Sequence, residues 1–311
     1  MRSRISDGFS LEPSAGCHAT EASVSEADMP TIDLPGGPID YVDTGGAGPV
    51  VVLTHGFPMD HRQWRKVVPL LQGARCVLPT LPLGAHRVPM KAGTDLTQSG
   101  QVDILADFLD AMDLRDVTLI MNDWGGPQHL VAKGRAERVG KMVMVACEAF
   151  DNFPPRQVRP IAKALLAPGG TWLFVQSMRT AFLRHDRRAW GVLAHARLPD
   201  ALYDAWFGPA LRSRAIRRDM RAFATGAPSR SVLLEWSEAL RTFDHPALVV
   251  WAEDDLMMPR AHTDQLHRLC QNCVSADGFG RLGSGMTKRL RCKTRRHAQR
   301  RTAATHQTPP C

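Results

Sequence analysis

The chain has no long hydrophobic run and no export signal. It contains no stretch of about 18 consecutive apolar residues, so the sequence predicts no transmembrane helix. Residues 1–30 lack a continuous apolar segment followed by a small-residue cleavage pattern. Seven cysteines, an odd number, favour reduced thiols over a disulfide framework. We therefore expect a cytoplasmic protein with no membrane partner, and we interpret residues 1–30 as a disordered leader with Met29 as an alternative start.

Acidic residues are scarce at the carboxyl end. Residues 274–311 hold nine Lys/Arg and one acid, a net charge of +8, which leaves residues 1–273 neutral. Apolar periodicity nearly vanishes there, so we predict a basic tail of low order over 274–311. Either a reading-frame change or a natural basic extension would produce it. No aromatic residue follows Phe279 to stack on bases, so the tail predicts at most weak, salt-sensitive contact with nucleic acid and no nucleic-acid partner.

Metal ligands are also sparse. The nearest approach to a zinc site is Cys270 and Cys273, followed by Cys292 and His297. This spacing is compatible with tetrahedral zinc, but such short pairs are common by chance, and we predict no metal and no cofactor.

The most informative segment is residues 117–126, Val-Thr-Leu-Ile-Met-Asn-Asp-Trp-Gly-Gly. Its apolar, β-branched start predicts a buried strand, and its glycines permit a sharp turn into a helix that begins near Pro127. Asp123 stands at the apex, where a carboxylate can attack carbon and form an ester with a substrate. The alternative is an Asp that only caps the following helix.

Two further strands end in chemically suggestive residues. The strand 50–54 runs into His55-Gly56-Phe57-Pro58, and the strand 246–252 runs into Glu-Asp-Asp at 253–255. Together with the segment around Asp123, they resemble the α/β-hydrolase superfamily over residues 31 to 273, in the branch with an aspartate nucleophile that contains haloalkane dehalogenases and epoxide hydrolases. The resemblance implies a mostly parallel, doubly wound sheet with an inserted helical cap.

The resemblance also implies site residues. The nucleophile would be Asp123, and the backbone N–H groups of Trp124 and Phe57 would form a cradle for an oxyanion or halide, with His55 and Gly56 as structural parts of its turn. A carboxylate would orient a water-activating histidine. Three carboxylates qualify. Asp255 fits best, Asp254 nearly equals it, and a subgroup that takes its acid from the strand after the nucleophile would use Glu148.

The cap is expected between two parts of the core. We assign residues 31–150 and 231–273 to the core and 151–230 to a helical cap, with helices predicted at 157–166, 170–183, 189–196, 200–207 and 215–225. Trp172, Tyr203 and Trp206 are candidates for lining the substrate pocket, although packing within the cap is an equally simple role for each. Nine cap arginines are interpreted first as a solvated surface and second as a field that attracts anionic substrates.

The cap and cradle separate two chemistries. Dehalogenases hold the leaving halide with N–H donors, and the resemblance assigns one to Trp124 and a second to Trp172. Epoxide hydrolases use two cap tyrosines, and only Tyr203 is available. A haloalkane dehalogenase-like hydrolase acting on a small apolar substrate and water, as a monomer or homodimer, is therefore favoured. An epoxide hydrolase-like enzyme or a catalytically inactive binding protein of the same fold are the alternatives.

The histidine that the family requires is missing from its usual place. No histidine lies between His267 and His297, so His297 and, beyond it, His306 are the remaining candidates for the base. The final strand and helix are accordingly expected to be missing or altered. Ester formation on Asp123 needs no histidine, whereas ester hydrolysis does, so the sequence predicts an impaired second half-reaction.

Overall fold

The computed structural model describes residues 29–124, 126–186, 190–194, 196–252, 255–279 and 291–294, the side chains of 192, 275–279 and 291–294 excepted. Within these ranges, nine strands form one sheet. The strands are β1 (Thr31–Leu34), β2 (Gly37–Asp43), β3 (Val50–Thr54), β4 (Arg75–Pro79), β5 (Val117–Asp123), β6 (Val139–Cys147), β7 (Ala247–Ala252), β8 (Cys273–Phe279) and β9 (Arg291–Thr294).

The strand order is β1-β2-β4-β3-β5-β6-β7-β8-β9. From β4 to β8 all neighbouring strands are parallel, while β1, β2 and β9 join antiparallel at the two edges. Parallel strands in the middle of such a sheet are covered on both faces, which explains their continuous apolar sequences. Val52 on β3 and Leu119 on β5 are accordingly fully buried. The predicted mostly parallel sheet is confirmed.

Helices accompany the sheet and build a separate layer between β6 and β7. The helices beside the sheet are α1 (Gln98–Ala111), α7 (Arg230–Glu238) and α8 (Ala261–Leu269). The inserted layer, the cap, holds α2 (Arg159–Leu166), α3 (Gly170–Ser177), α4 (Ala181–His185), a 3-10 helix (Trp190–Leu193), α5 (Asp200–Arg212) and α6 (Arg214–Thr225). The cap has its own apolar core, which includes Trp206 and Phe207. No described helix is both long and apolar enough to cross a bilayer.

A buried carboxylate joins the cap to the core. Asp219 on α6 is fully buried, and its Oδ2 accepts the backbone N–H of Met90 at 2.9 Å and lies 3.2 Å from His86 Nε2. Arg218 donates to the other oxygen at 2.8 Å. Breaking such a buried, multiply bonded carboxylate is costly, so this contact fixes α6 over the sheet.

The structure corrects several boundaries. The helix predicted at 170–183 is two helices, because the backbone at Thr180 is extended and α4 starts anew after it. The helix expected from Pro127 is a short 3-10 helix, Gly126–Leu130, and that expected at 189–196 is the 3-10 helix at Trp190–Leu193. The first of these is tight because the backbone at Gly126 lies against the Trp124 ring, where an added Cβ would stand only 1.5 Å from a ring carbon.

Both ends of the chain are also more ordered than predicted. Met29 is buried and the Pro30 carbonyl accepts the Tyr41 N–H at 3.1 Å, so the leader prediction is wrong for these two residues, and residues 1–28 lie outside the described part. β8 continues to Phe279 and pairs along β7, and β9 pairs with β8, so the strand expected to be missing or altered is present and the prediction of low order is wrong for residues 274–279 and 291–294. Strands pair through backbone hydrogen bonds, so the polar side chains of this segment do not prevent it from forming a strand.

Candidate active site

Asp123 occupies a sharp strand-to-helix turn. It ends β5 with φ at +68°, a left-handed conformation that costs energy for a residue with a side chain and that often occurs at functional sites. The turn is tightly packed, because a Cβ added to Gly56 would lie 2.7 Å from Asp123 Cβ. Glycine at position 56 therefore lets the turn after β3 approach the carboxyl group closely.

A backbone donor holds the Asp123 carboxyl group. The Phe57 N–H donates to Oδ2 at 2.8 Å. Burial raises the pKa of Asp123 to about 6; the Phe57 N–H opposes this shift, and the nearby charge of Asp255 adds to it. Among the described residues, Oδ1 has no hydrogen-bond partner. The carboxyl group is thus oriented through Oδ2 alone.

Two side-chain amides, those of Gln63 and Asn122, hold the turn after β3 in place beside Asp123. The Gly56 N–H donates to Gln63 Oε1 at 2.6 Å, and Gln63 Nε2 donates to Asn122 Oδ1. Asn122 Nδ2 in turn donates to the Val145 carbonyl on β6 at 2.7 Å. This amide relay, Gln63 and Asn122, connects the turn after β3 with β5 and β6. The sequence analysis missed both residues, although a polar side chain directly before Asp123 in an apolar strand was a signal.

His55 has a structural role in this turn. Its Nδ1 lies 2.9 Å from the Gly56 carbonyl and its Nε2 accepts the Leu81 N–H at 2.8 Å, so Nδ1 carries the proton. Complete burial lowers the pKa of His55 to about 4, with the Gly56 contact opposing the shift. With both ring nitrogens bonded to the backbone, His55 fits the predicted role in the turn rather than that of a base.

Trp124 does not present its indole to the cavity. It is buried, and its Nε1 donates to the His55 carbonyl at 3.1 Å. The expectation that this indole binds a leaving halide is therefore wrong for this structure. The indole is held away from the cavity because its ring packs against the backbone of Gly126 and edge-on against Phe223 of α6.

The candidate acids differ in their surroundings. Glu148, just after β6, is buried, and its Oε2 has no hydrogen-bond partner among the described residues. Burial, and then the charge of Asp123, raise the pKa of Glu148 well above its ordinary value. Asp255 uses Oδ1 to accept the N–H groups of Met257 and Met258, both at 2.8 Å. Asp254 lies outside the described residues.

The cavity at Asp123 is small. Its volume is about 110 Å³. Its described lining consists of Asn122, Asp123, Ala146, Leu193, Asp255, Leu256, Met257 and Met258. Leu193 is the cap's contribution, from the 3-10 helix that begins at Trp190. Four large apolar side chains line the cavity together with two carboxyl groups, those of Asp123 and Asp255, and the small volume limits it to a small substrate. No histidine belongs to this described lining, and His297 lies outside the described residues.

The three residues predicted for the substrate pocket are elsewhere. Tyr203 is buried in the cap and donates its hydroxyl to the Arg184 carbonyl at 2.8 Å. Trp206 donates its indole to Asp60 Oδ1 at 3.1 Å, at the boundary of cap and core. Trp172 is 52% exposed on the outer surface of the cap. None of them is among the described residues that line the cavity at Asp123.

The zinc alternative gains no support. Cys270 and Cys273 are buried free thiols in hydrogen-bonding contact with each other. Among the described side chains, no group of three or more His, Cys, Asp or Glu is arranged to hold a metal. The side chain of Cys292 and the whole of His297 lie outside the described part.

Comparison with known proteins agrees with the mostly parallel sheet. The family model for the alpha/beta hydrolase fold matches residues 49–283. The chain belongs to this family. Among curated relatives, a haloalkane dehalogenase of Mesorhizobium japonicum is 34% identical over 138 residues, which cover 42% of this chain and 44% of that protein. The chain thus spans less than half the length of this relative.

Other proteins match this chain at similar levels of sequence identity or below. Haloalkane dehalogenase 2 of Mycobacterium tuberculosis is 30% identical over 52% of this chain and 58% of its own length. A cis-3-alkyl-4-alkyloxetan-2-one decarboxylase of Shewanella oneidensis is 29% identical over 41% of each chain. Among solved structures, a haloalkane dehalogenase of Bradyrhizobium elkani has a TM-score of 0.65 at 18% identity, covering 81% of this chain and 90% of that one. At this identity the structural likeness shows the fold alone.

Proposed function

We propose that this protein is a haloalkane dehalogenase-like hydrolase in which Asp123 is the nucleophile. The observation that carries the proposal is Asp123 itself: a carboxyl group at a strained turn, held through Oδ2 by the Phe57 N–H and lining a small cavity. The named dehalogenase relatives support the same chemistry. Burial also removes water from the attacking carboxylate, which raises its reactivity toward carbon.

The first half-reaction forms an ester. Oδ1 of Asp123 attacks the carbon that bears the halogen, the carbon–halogen bond breaks, and the halide leaves with the bonding electrons. Because Phe57 already donates to Oδ2, this oxygen becomes the ester carbonyl oxygen without moving. The Phe57 N–H is then placed to stabilise negative charge on Oδ2 when water attacks the ester, which is the work of an oxyanion donor.

A cap tryptophan other than Trp172 fits the leaving group. Trp190 begins the 3-10 helix that brings Leu193 to the cavity, and its buried indole N–H has no hydrogen-bond partner among the described residues. Buried indole N–H groups normally find a partner, so this unpaired one, three residues before the lining residue Leu193, is a candidate donor to a halide. Trp190 is not itself among the described residues that line the cavity, and we assign it the leaving-group role on its unpaired N–H alone, instead of Trp124 or Trp172.

The second half-reaction regenerates the enzyme. Water attacks the ester carbon of Asp123, a base takes the proton, and an alcohol leaves as the carboxylate returns. Glu148 suits the acid that orients this base better than Asp255 does. Its buried Oε2 has no partner among the described residues, whereas Asp255 Oδ1 already accepts two backbone N–H groups of its own loop. An imidazole beside Glu148 would provide that partner and remove its unpaired burial.

Halide release and the mass of Asp123 test the proposal together. The full chain incubated with short bromoalkanes is expected to release halide and to gain the mass of the alkyl group on the peptide containing Asp123. Asp123→Asn abolishes both, and Trp190→Phe slows halide release while leaving the site of modification unchanged.

The alternatives give different results in the same assay. An adduct on Asp123 formed from epoxides but not from bromoalkanes would make the protein epoxide hydrolase-like. The absence of both halide release and any adduct on the folded protein would leave a binding protein of this fold and contradict the proposal.

A further inference from the structure

The charge of this protein is divided between its two layers. Residues 151–230, the cap, hold fourteen Lys/Arg and five Asp/Glu, a net charge of +9. The core ranges 29–150 and 231–273 together hold 14 Lys/Arg and 20 Asp/Glu. Within residues 29–273 the excess of positive charge therefore lies in the cap, and such a divided charge orients a protein toward an anionic partner.

The outer corner of the cap combines this charge with exposed apolar side chains. Leu166 at the end of α2 is 54% exposed, and Trp172 and Leu173 on α3 are 52% and 64% exposed. A hollow of about 810 Å³ beside them has Trp172 on one side and four arginines on the other. The arginines are Arg214, Arg217, Arg218 and Arg221, all on α6. No acidic side chain is among the described residues that line it.

The structure holds several of these guanidinium groups in place. Arg221 donates to the carbonyls of Leu165 and Leu166, both at 2.9 Å, and Arg217 donates to that of Ala210. These contacts stabilise the carboxyl ends of α2 and α5 and involve no carboxylate, whereas Arg218 pairs with Asp219 at 2.6 Å, so the charges of Arg217 and Arg221 are the ones held in place without an acidic partner. Charges that are already ordered lose little entropy when an anion binds.

The corner needs an occupant that accepts both features. A second copy of this chain does not fit, because two such surfaces would bring eight arginines together. A surface that pairs basic residues with a protruding Trp and Leu is suited to a bilayer interface, where the rings and aliphatic chains enter below anionic headgroups. We propose that this corner, which we name the cap corner (residues 166–173 with Arg214, Arg217, Arg218 and Arg221), docks on anionic phospholipid membranes.

The proposal needs no membrane-spanning segment and is independent of the chemistry at Asp123. Trp172 and Leu173 insert at the interface, and the arginine hollow receives lipid phosphates. Neither group belongs to the described lining of the cavity at Asp123. The corner thus gives a purpose to exposed apolar residues that packing within the cap does not explain.

Vesicle binding tests the proposal on the full chain. We expect the protein to float with equimolar phosphatidylcholine–phosphatidylglycerol vesicles and not with phosphatidylcholine alone. Arg214→Gln is expected to weaken partitioning about fivefold, whereas Arg115→Gln, an equally exposed arginine of the core, leaves it unchanged. Trp172→Ser weakens binding, while Leu70→Ser, which removes a 75% exposed apolar side chain of the core, does not.

A second readout separates the cap corner from the basic segment 274–311, which every variant retains. Brominated phosphatidylcholine mixed with phosphatidylglycerol should quench tryptophan fluorescence in the bound protein, and Trp172→Phe should remove most of that quenching. Equal binding of Arg214→Gln and Arg115→Gln, or quenching that survives Trp172→Phe, would overturn the proposal in favour of the segment 274–311. Binding to polyglutamate without binding to vesicles would also overturn it and indicate an acidic protein as the partner.

Discussion

Asp123 combines a strained backbone with an environment that makes its ionised form costly. The positive φ places its side chain at the apex of the turn, and burial raises its pKa to about 6. A carboxylate that burial has made less stable is a better nucleophile than one in water, provided that it is ionised. The residue that defines the site is therefore also one that the fold stabilises poorly, as is common at functional positions.

The raised pKa predicts how ester formation depends on pH. Only the carboxylate attacks carbon, and a pKa of about 6 means that Asp123 is protonated below this value. The rate of halide release in the first turnover should therefore fall as the pH decreases through about 6, not through the ordinary value near 4. Rapid-mixing measurements between pH 4.5 and 8 would show the inflection, and Asp255→Asn should lower it, because the charge of Asp255 contributes to the shift. An inflection near 4 in the unmodified chain would contradict the buried environment assigned to Asp123.

At the scale of single elements, the sequence predicted strands and turns much better than it predicted contacts between distant residues. The strand and turn around Asp123, and the turn after β3, depend on neighbouring residues, and both were found from sequence. The indole of Trp124 was assigned wrongly because its partner, the His55 carbonyl, is 69 residues away. The relay of Gln63 and Asn122 spans 59 residues and was missed for the same reason. Sequence periodicity carries no information about which distant backbone group a side chain will meet.

Gln63 of the amide relay does not line the cavity at Asp123, yet its replacement should change the rate of ester formation. Gln63→Met keeps the size of the side chain but leaves the Gly56 N–H and the Asn122 amide without their partners. The turn that carries the Phe57 N–H should then loosen, and we expect ester formation to slow about 10- to 100-fold and the unfolding free energy to fall by about 1–3 kcal/mol. Single-turnover halide release and urea unfolding measure the two effects.

The matched control for the relay is Gln271→Met. Gln271 is exposed and donates to the Arg241 carbonyl. Neither residue is among the described residues that line the cavity at Asp123. Its replacement should change neither rate nor stability appreciably. If Gln63→Met lost stability yet formed the Asp123 ester at the rate of the unmodified chain, the relay would have a purely structural role.

On the scale of the whole molecule, the described residues provide the groups that the proposed ester formation needs but not those that ester hydrolysis needs. Sheet, turn and cap bring together the Asp123 carboxyl group, the Phe57 N–H and a small cavity. The base for ester hydrolysis has no counterpart among the described residues that line this cavity. The buried Oε2 of Glu148 is left without a described partner at the place where such a base would be held. The two half-reactions therefore depend on different parts of the chain.

This division predicts the time course of the reaction. With Asp123 able to form the ester and no base to hydrolyse it, we expect a burst of about one halide per folded chain, followed by a stall with the alkyl group still on Asp123. A general base typically contributes ~10²–10⁴ in rate, so the stalled phase should be slower than the burst by a factor of that order. Stopped-flow halide detection and mass spectrometry of the same sample measure both phases. Sustained turnover that is lost in His297→Ala or His306→Ala would show instead that the segment beyond β8 supplies the base. In that case Glu148→Gln should impair the turnover more than Asp255→Asn does. The reason is that the imidazole would pair with Glu148, whose buried Oε2 has no partner among the described residues, whereas Asp255 already accepts backbone N–H groups.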